Sequence, residues 1–147
     1  MGTGAGRASY DADFYSWSLE QARLVREGRW ADLDHENVAD EIESLALGQF
    51  NKLETAIRNL LIEILKWDHA PSARTRSSVL SIELQRIEIE ELLSDNPGMR
   101  PRIPEALARA YRRARLGAAN ETGLEKSVFP DPCPYSLHDI MSREFAG

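Results

Sequence analysis

The stretch DHENVADEIESLALGQFNKLETAIRNLLIEILKW, residues Asp34 to Trp67, decides the fold. It runs 34 residues with no proline and a single glycine, Gly48. Val38, Ile42, Leu45, Leu53, Ala56, Leu60, Ile64 and Trp67 recur at steps of three or four residues or small sums of them, the period of one helix face. A helix of that length spans roughly 50 Å, so it serves as a spine on which other helices pack. Its second half is apolar nearly all round (Ile57, Leu60, Leu61, Ile62, Ile64, Leu65), which marks it as the best-buried element.

Flanking signals place the other helices. Asp11 and Asp13 suit a helix start and Gly28 a left-handed stop, with Tyr10, Phe14, Trp17 and Leu24 on one face. Asp34 is the N-cap candidate of the spine, and Pro71 ends it soon after Trp67. A third helix is expected from about Arg76 to Leu93, with one apolar stripe at Val79, Ile82, Ile89 and Leu93 and a second at Leu80, Leu84 and Ile87. Two stripes predict burial on two sides. Ser94 to Gly98 reads as a turn, and Pro104 opens a fourth helix to about Thr122, lined by Ile103, Leu107, Tyr111, Ala114 and Ala118. Gly123 is its stop. An extended, proline-rich arm follows, Phe129 to Tyr135, and Ser136 caps a last short helix through Met141. Short connections make successive helices antiparallel. The expected fold is all-α: an antiparallel bundle of four main helices on one long central helix, plus a short C-terminal helix. Residues 10–147 form a single helical domain behind a disordered tail, residues 1–9.

Composition bounds the function. The chain has 147 residues and a net charge of −6, with a pI near 5.1, which argues against a general nucleic-acid binder. The arginines at 100, 102, 109, 112, 113 and 115 make a local basic segment, opposed only by Glu105. It has the chemistry to meet phosphates, or more simply to balance the acidic helices. One cysteine, Cys133, forms no internal disulfide and no cysteine-rich zinc site, and fits a reducing, cytoplasmic setting. No apolar run is long enough to span a membrane.

The motifs of chemistry are missing. There is no glycine-rich phosphate loop, no G-x-S-x-G elbow and no H-E-x-x-H helix. His35, His69 and His138 lie far apart, and Asp32-x-x-His35 is a weak echo of a di-iron pair, so no metal and no cofactor is expected. Five acids between Asp34 and Glu43 resemble a site, but helix-dipole complementarity on a solvated face accounts for them. Cys133, between two prolines, reads as a reactive or partner-linked thiol, or as a small residue packed in the arm. Arg86 falls within the Val79, Ile82, Ile89 and Leu93 stripe, where a solvated arginine does not belong. Either its stem is half-buried with the head in water, or a carboxylate holds it, with Glu41 the first candidate and Glu20 and Glu121 the alternatives. The polar or interaction positions singled out are Glu41, Arg86, Trp17, Trp67, Cys133 and Tyr135.

Several motifs together resemble the bacterial domain of unknown function 29 family. They are Tyr10-Asp11-Ala12-Asp13-Phe14-Tyr15-Ser16-Trp17; Gly28-Arg29-Trp30 with Leu33-Asp34 and Asn37; Glu41-Ile42-Glu43-Ser44-Leu45; Leu65-Lys66-Trp67; Ala110-Tyr111; Glu121-Thr122-Gly123-Leu124; and Phe129-Pro130 with Cys133-Pro134-Tyr135. The resemblance runs from Tyr10 to Phe145. Ala46 stands where a glycine is expected, which leaves Gly48 as the place for a bend, and Ser78 stands where an aromatic is common. The resemblance implies a small helical bacterial protein and transfers no catalytic residue, because the family has no established activity. Two function classes remain: a non-enzymatic protein-interaction module with an unknown protein partner, and an enzyme or metal-binding protein whose polar site assembles between helices. Apolar surface near Leu45, Ala46, Leu47 and Phe50 points to a homodimer.

Overall fold

The computed structural model describes residues 10–146, so the expected tail lies outside the described residues. Among them the regular structure is all helical: α1 (Phe14–Arg26), α2 (His35–His69), α3 (Arg76–Asp95), α4 (Ile103–Thr122) and the short α5 (Leu137–Ser142), linked by single 3-10 turns. The helix α2 continues through Gly48 without a break. The chain divides into two compact units, residues 1–47 and 48–147.

Local chemistry fixes the helix ends. Asp13 accepts a hydrogen bond from the Ser16 amide at 3.0 Å, so α1 begins at Phe14, three residues past the expected Asp11. At its other end Gly28 takes φ +70°, with its amide on Val25 O and the Arg29 amide on Leu24 O. This pair of bonds is the Schellman stop that a glycine permits. Thr75 caps α3. Gly123, at φ +74°, ends α4. Ser136 and Asp139 cap α5 reciprocally, each side chain accepting from the other's amide.

In the first unit α1 runs antiparallel to the start of α2: Tyr10 bonds Glu41, and Trp17 bonds Asp34. In the second unit the all-round apolar run of α2 is the core. Leu53, Ala56, Ile57, Leu60, Leu61, Ile64 and Leu65 are buried, together with Ile82, Ile89, Leu92 and Leu93 from α3, and Phe129 and Ile140 from the C-terminal arm.

The helix α4 runs parallel to α2, in a register marked by Glu54 with Arg113, Ile62 with Gly117, and Lys66 with Glu121. Its buried face is mostly alanine: Ala106, Ala110, Ala114 and Ala118, with Tyr111. The face is thus turned from the expected one, since Ile103 and Leu107 are only partly buried. Small side chains let the two backbones approach; a Cβ on Gly117 would lie 2.6 Å from Ile62 Cδ1.

The expected two-sided burial of α3 does not hold. Its Ile82 and Ile89 stripe is buried, but Leu80, Leu84 and Ile87 are 51%, 62% and 52% exposed. Phe50, expected on an open apolar patch, is buried beneath the Arg102 guanidinium, 3.9 Å from the ring centre.

Leu61→Ala should therefore destabilise the protein by about 2–5 kcal/mol, the cost of a cavity at a fully buried leucine. A urea titration gives the value, and a loss below about 0.5 kcal/mol, typical of surface positions, would contradict this packing.

Candidate functional site

The singled-out residues fall into two clusters. In the first unit Trp17 is buried and donates its indole N–H to Asp34 Oδ2 at 3.0 Å. Asn37 Nδ2 donates to the same oxygen at 2.8 Å, and the Asp34 amide donates to the buried Gln21 Oε1 at 2.8 Å. Asp34 thus ties α1 to the entry of α2, which accounts structurally for one of the five acids there. Glu41 accepts from the Tyr10 hydroxyl at 2.6 Å. That bond pushes the phenol up to about 12, and Tyr10 stacks edge-on against Trp17 with ring centres 4.7 Å apart.

The second cluster gathers Arg86, Trp67, Cys133 and Tyr135 at the C-terminal arm. Among the described residues Arg86 meets no carboxylate by hydrogen bond. Its Nε donates to Ile140 O at 2.8 Å and its Nη2 to Arg143 O at 2.6 Å, so it satisfies carbonyls at the end of α5. Burial pulls its pKa down, yet a guanidinium stays charged. The three carboxylates proposed for it are engaged elsewhere: Glu41 with Tyr10, Glu20 with Arg23, and Glu121 with Lys66. The Phe145 ring lies edge-on to Trp67 at 5.4 Å and beneath both Arg86 and Arg143.

Asp68, which sequence reading passed over, is the centre of this cluster. It takes a two-pronged ion pair from Arg143 at 2.6 and 3.0 Å, and a hydrogen bond from the Tyr135 hydroxyl at 2.7 Å. Burial opposes its charge, but these donors hold its carboxyl below the usual range. Tyr135 is pushed well above the usual phenol range by burial and by Asp68. Cys133 packs half-buried against the core with its thiol on Tyr135 O at 3.4 Å, and burial raises its pKa, which keeps it a neutral thiol rather than a nucleophilic thiolate. Tyr111 donates to Pro130 O. The arrangement clamps the arm; its polar groups are occupied by one another.

Two of the open grooves lie away from these clusters. One, of about 420 Å³, lies between α2 and α3 and is lined by Gly48, Lys52, Thr55, Asn59, Leu84 and Glu88 among others. The other, of about 520 Å³, lies between α4 and the 126–131 segment and is lined by Arg109, Arg112, Arg113, Arg115 and Lys126, with Asp131 the single acid. Beneath the second groove sits Glu54, only 4% exposed, paired with Arg113 at 2.6 Å and Arg109 at 3.4 Å. Neither groove lining includes Glu41 or a histidine. Among the described residues no three His, Cys, Asp or Glu side chains converge for a metal. No helix among them is long and apolar enough to cross a membrane.

The Asp68 clamp has a defined pH window. Because the folded carboxyl titrates below its unfolded value near 3.9, its contribution is complete above about pH 4 and is lost as pH falls through the folded value. The raised Tyr135 phenol contributes up to about pH 10, its unfolded value, and loses that contribution as pH rises through the folded one. At neutral pH Asp68→Asn should cost about 1–2 kcal/mol, at the lower end for charged hydrogen bonds because Arg143 is 40% exposed. Chemical denaturation at pH 7 and pH 3 should show that difference shrinking in acid; an equal cost at both would contradict the clamp.

The model of one family, Domain of unknown function DUF29, matches residues 9–146. No curated protein and no solved structure matches the chain. The match covers nearly the whole chain, including both clusters and both grooves, and the chain belongs to this family of domains of unknown function.

Proposed function

We propose that the protein is a non-enzymatic interaction module that pairs with a second copy of itself, in the cytoplasm, through the groove between α2 and α3. The observation that carries this reading is the stripe of Leu80, Leu84 and Ile87 on α3. Three large apolar side chains at i, i+4 and i+7, each more than half exposed, form the pattern by which one helix docks against another. Leu84 also lines the groove, so the stripe borders a concave surface.

Charge argues for a second copy as the occupant. Lys52 and Glu88 line the same groove, and neither is in an ion pair among the described residues. In a two-fold interface residue i of one copy meets j of the other and the reverse. Lys52 of each copy then faces Glu88 of its mate, and the apolar stripes meet between them. The exposed Ile42, Leu45 and Leu47 of the first unit are further apolar surface for association. The lone cysteine supports a reducing compartment.

Sedimentation velocity tests this reading. The expected species has twice the chain mass of 16.6 kDa. Leu84→Asp should yield monomer. Lys52→Glu alone should weaken the dimer roughly tenfold, and adding Glu88→Lys should restore it. A monomer at high concentration, or a double exchange that fails to recover what the single one lost, would overturn the proposal.

A further inference from the structure

We infer that the groove between α4 and the 126–131 segment is a binding site for a polyphosphate chain, the chemistry shared by nucleoside triphosphates and free oligophosphates. The chain as a whole carries −6, yet five cations line this groove against one acid, Asp131. Arg109, Arg112 and Arg113 fall within little more than a turn of α4, where like charges three and four residues apart oppose helix formation. Glu54 answers Arg109 and Arg113 from beneath, and Arg112 is left for an anion from outside.

The site is built rather than accidental. Glu54 lies buried under the helix and holds Arg113 at 2.6 Å and Arg109 at 3.4 Å, which orients both heads while leaving them 60% and 48% exposed. Its Oε2 is buried without a hydrogen bond and lies 3.4 Å from Arg109 Nε. Across the groove, Arg115 braces the opposite wall. Its Nε donates to Phe129 O at 3.2 Å, its Nη2 to Lys126 O at 3.3 Å, and its Nη1 pairs with Asp131 at 3.3 Å. Tyr111 ties the same wall through Pro130 O. Both walls are therefore held before any ligand arrives, which reduces the ordering cost of binding.

Two cations remain uncommitted. Arg112 and Lys126 have no ion pair among the described residues, and they face the groove from opposite walls. An extended row of phosphates can bridge them, with Arg109 and Arg113 contributing their exposed edges. A volume of about 520 Å³ suits a small molecule rather than a long polymer. An acidic chain also repels a polyanion that runs beyond the groove.

Isothermal titration calorimetry on the full chain, at fixed ionic strength, tests the site with sodium tripolyphosphate, ATP and a single-stranded oligonucleotide. Saturable binding of tripolyphosphate at one site per chain is expected. Arg112→Gln and Lys126→Gln should each weaken it about tenfold, equivalent to ~1.4 kcal/mol. Arg76→Gln, the same charge change at an exposed position on α3, should leave it unchanged. ATP binding tighter than tripolyphosphate identifies a nucleotide as the natural carrier; equal affinity identifies the phosphate chain alone. Absence of saturable binding, an equal loss in Arg76→Gln, or tighter binding of the oligonucleotide would overturn the inference.

Discussion

The contact between the apolar second half of α2 and the alanine face of α4 governs the larger unit. From Leu53 to Leu65 the spine offers apolar side chains on nearly every side, and a helix of that kind is stable in water only when enclosed. The face of α4 has little bulk, so its burial depends on close approach rather than on large side chains. Ala106, Ala110, Ala114 and Ala118 provide that approach, and Gly117 opposite Ile62 leaves no room for even a methyl group without adjustment. The same register places Glu54 beneath Arg109 and Arg113 and sets Lys66 against Glu121. Position of the basic groove is thus a consequence of helix packing.

The C-terminal arm depends on that core in turn. Phe129 and Ile140 bury themselves within it, and the polar ties at Asp68, Arg86, Tyr111 and Arg115 fasten what lies between. These ties meet Tyr135, Arg143 and the carbonyls of Phe129, Pro130 and Ile140, so the arm has little freedom to leave. In the smaller unit Asp34 plays an analogous part: one carboxylate receives both Trp17 and Asn37.

Helices were legible in the sequence because their signals are local. The ends of α1, α4 and α5 follow from Gly28, Gly123 and Ser136, residues whose conformational or capping chemistry acts within a few positions. The spine followed from period and length. Long-range polar partners were not legible. Arg86 stands out in the sequence as a charge on an apolar stripe, but its acceptors are backbone carbonyls, which every residue carries and no pattern distinguishes. Asp68 and Glu54 gave no signal either, since each matters through residues more than 50 positions away. The second stripe of α3 was legible as apolar, but the burial expected of it is not met: among the described residues Leu80, Leu84 and Ile87 stay exposed.

Amide hydrogen exchange followed residue by residue tests the central claim, that the second half of α2 is the enclosed element on which α3, α4 and the arm depend. The slowest amides of the protein should lie between Leu53 and Leu65, opening only with global unfolding, while those of α5 exchange through smaller local openings. Protection along Leu53 to Leu65 no greater than that of α5 would contradict the account.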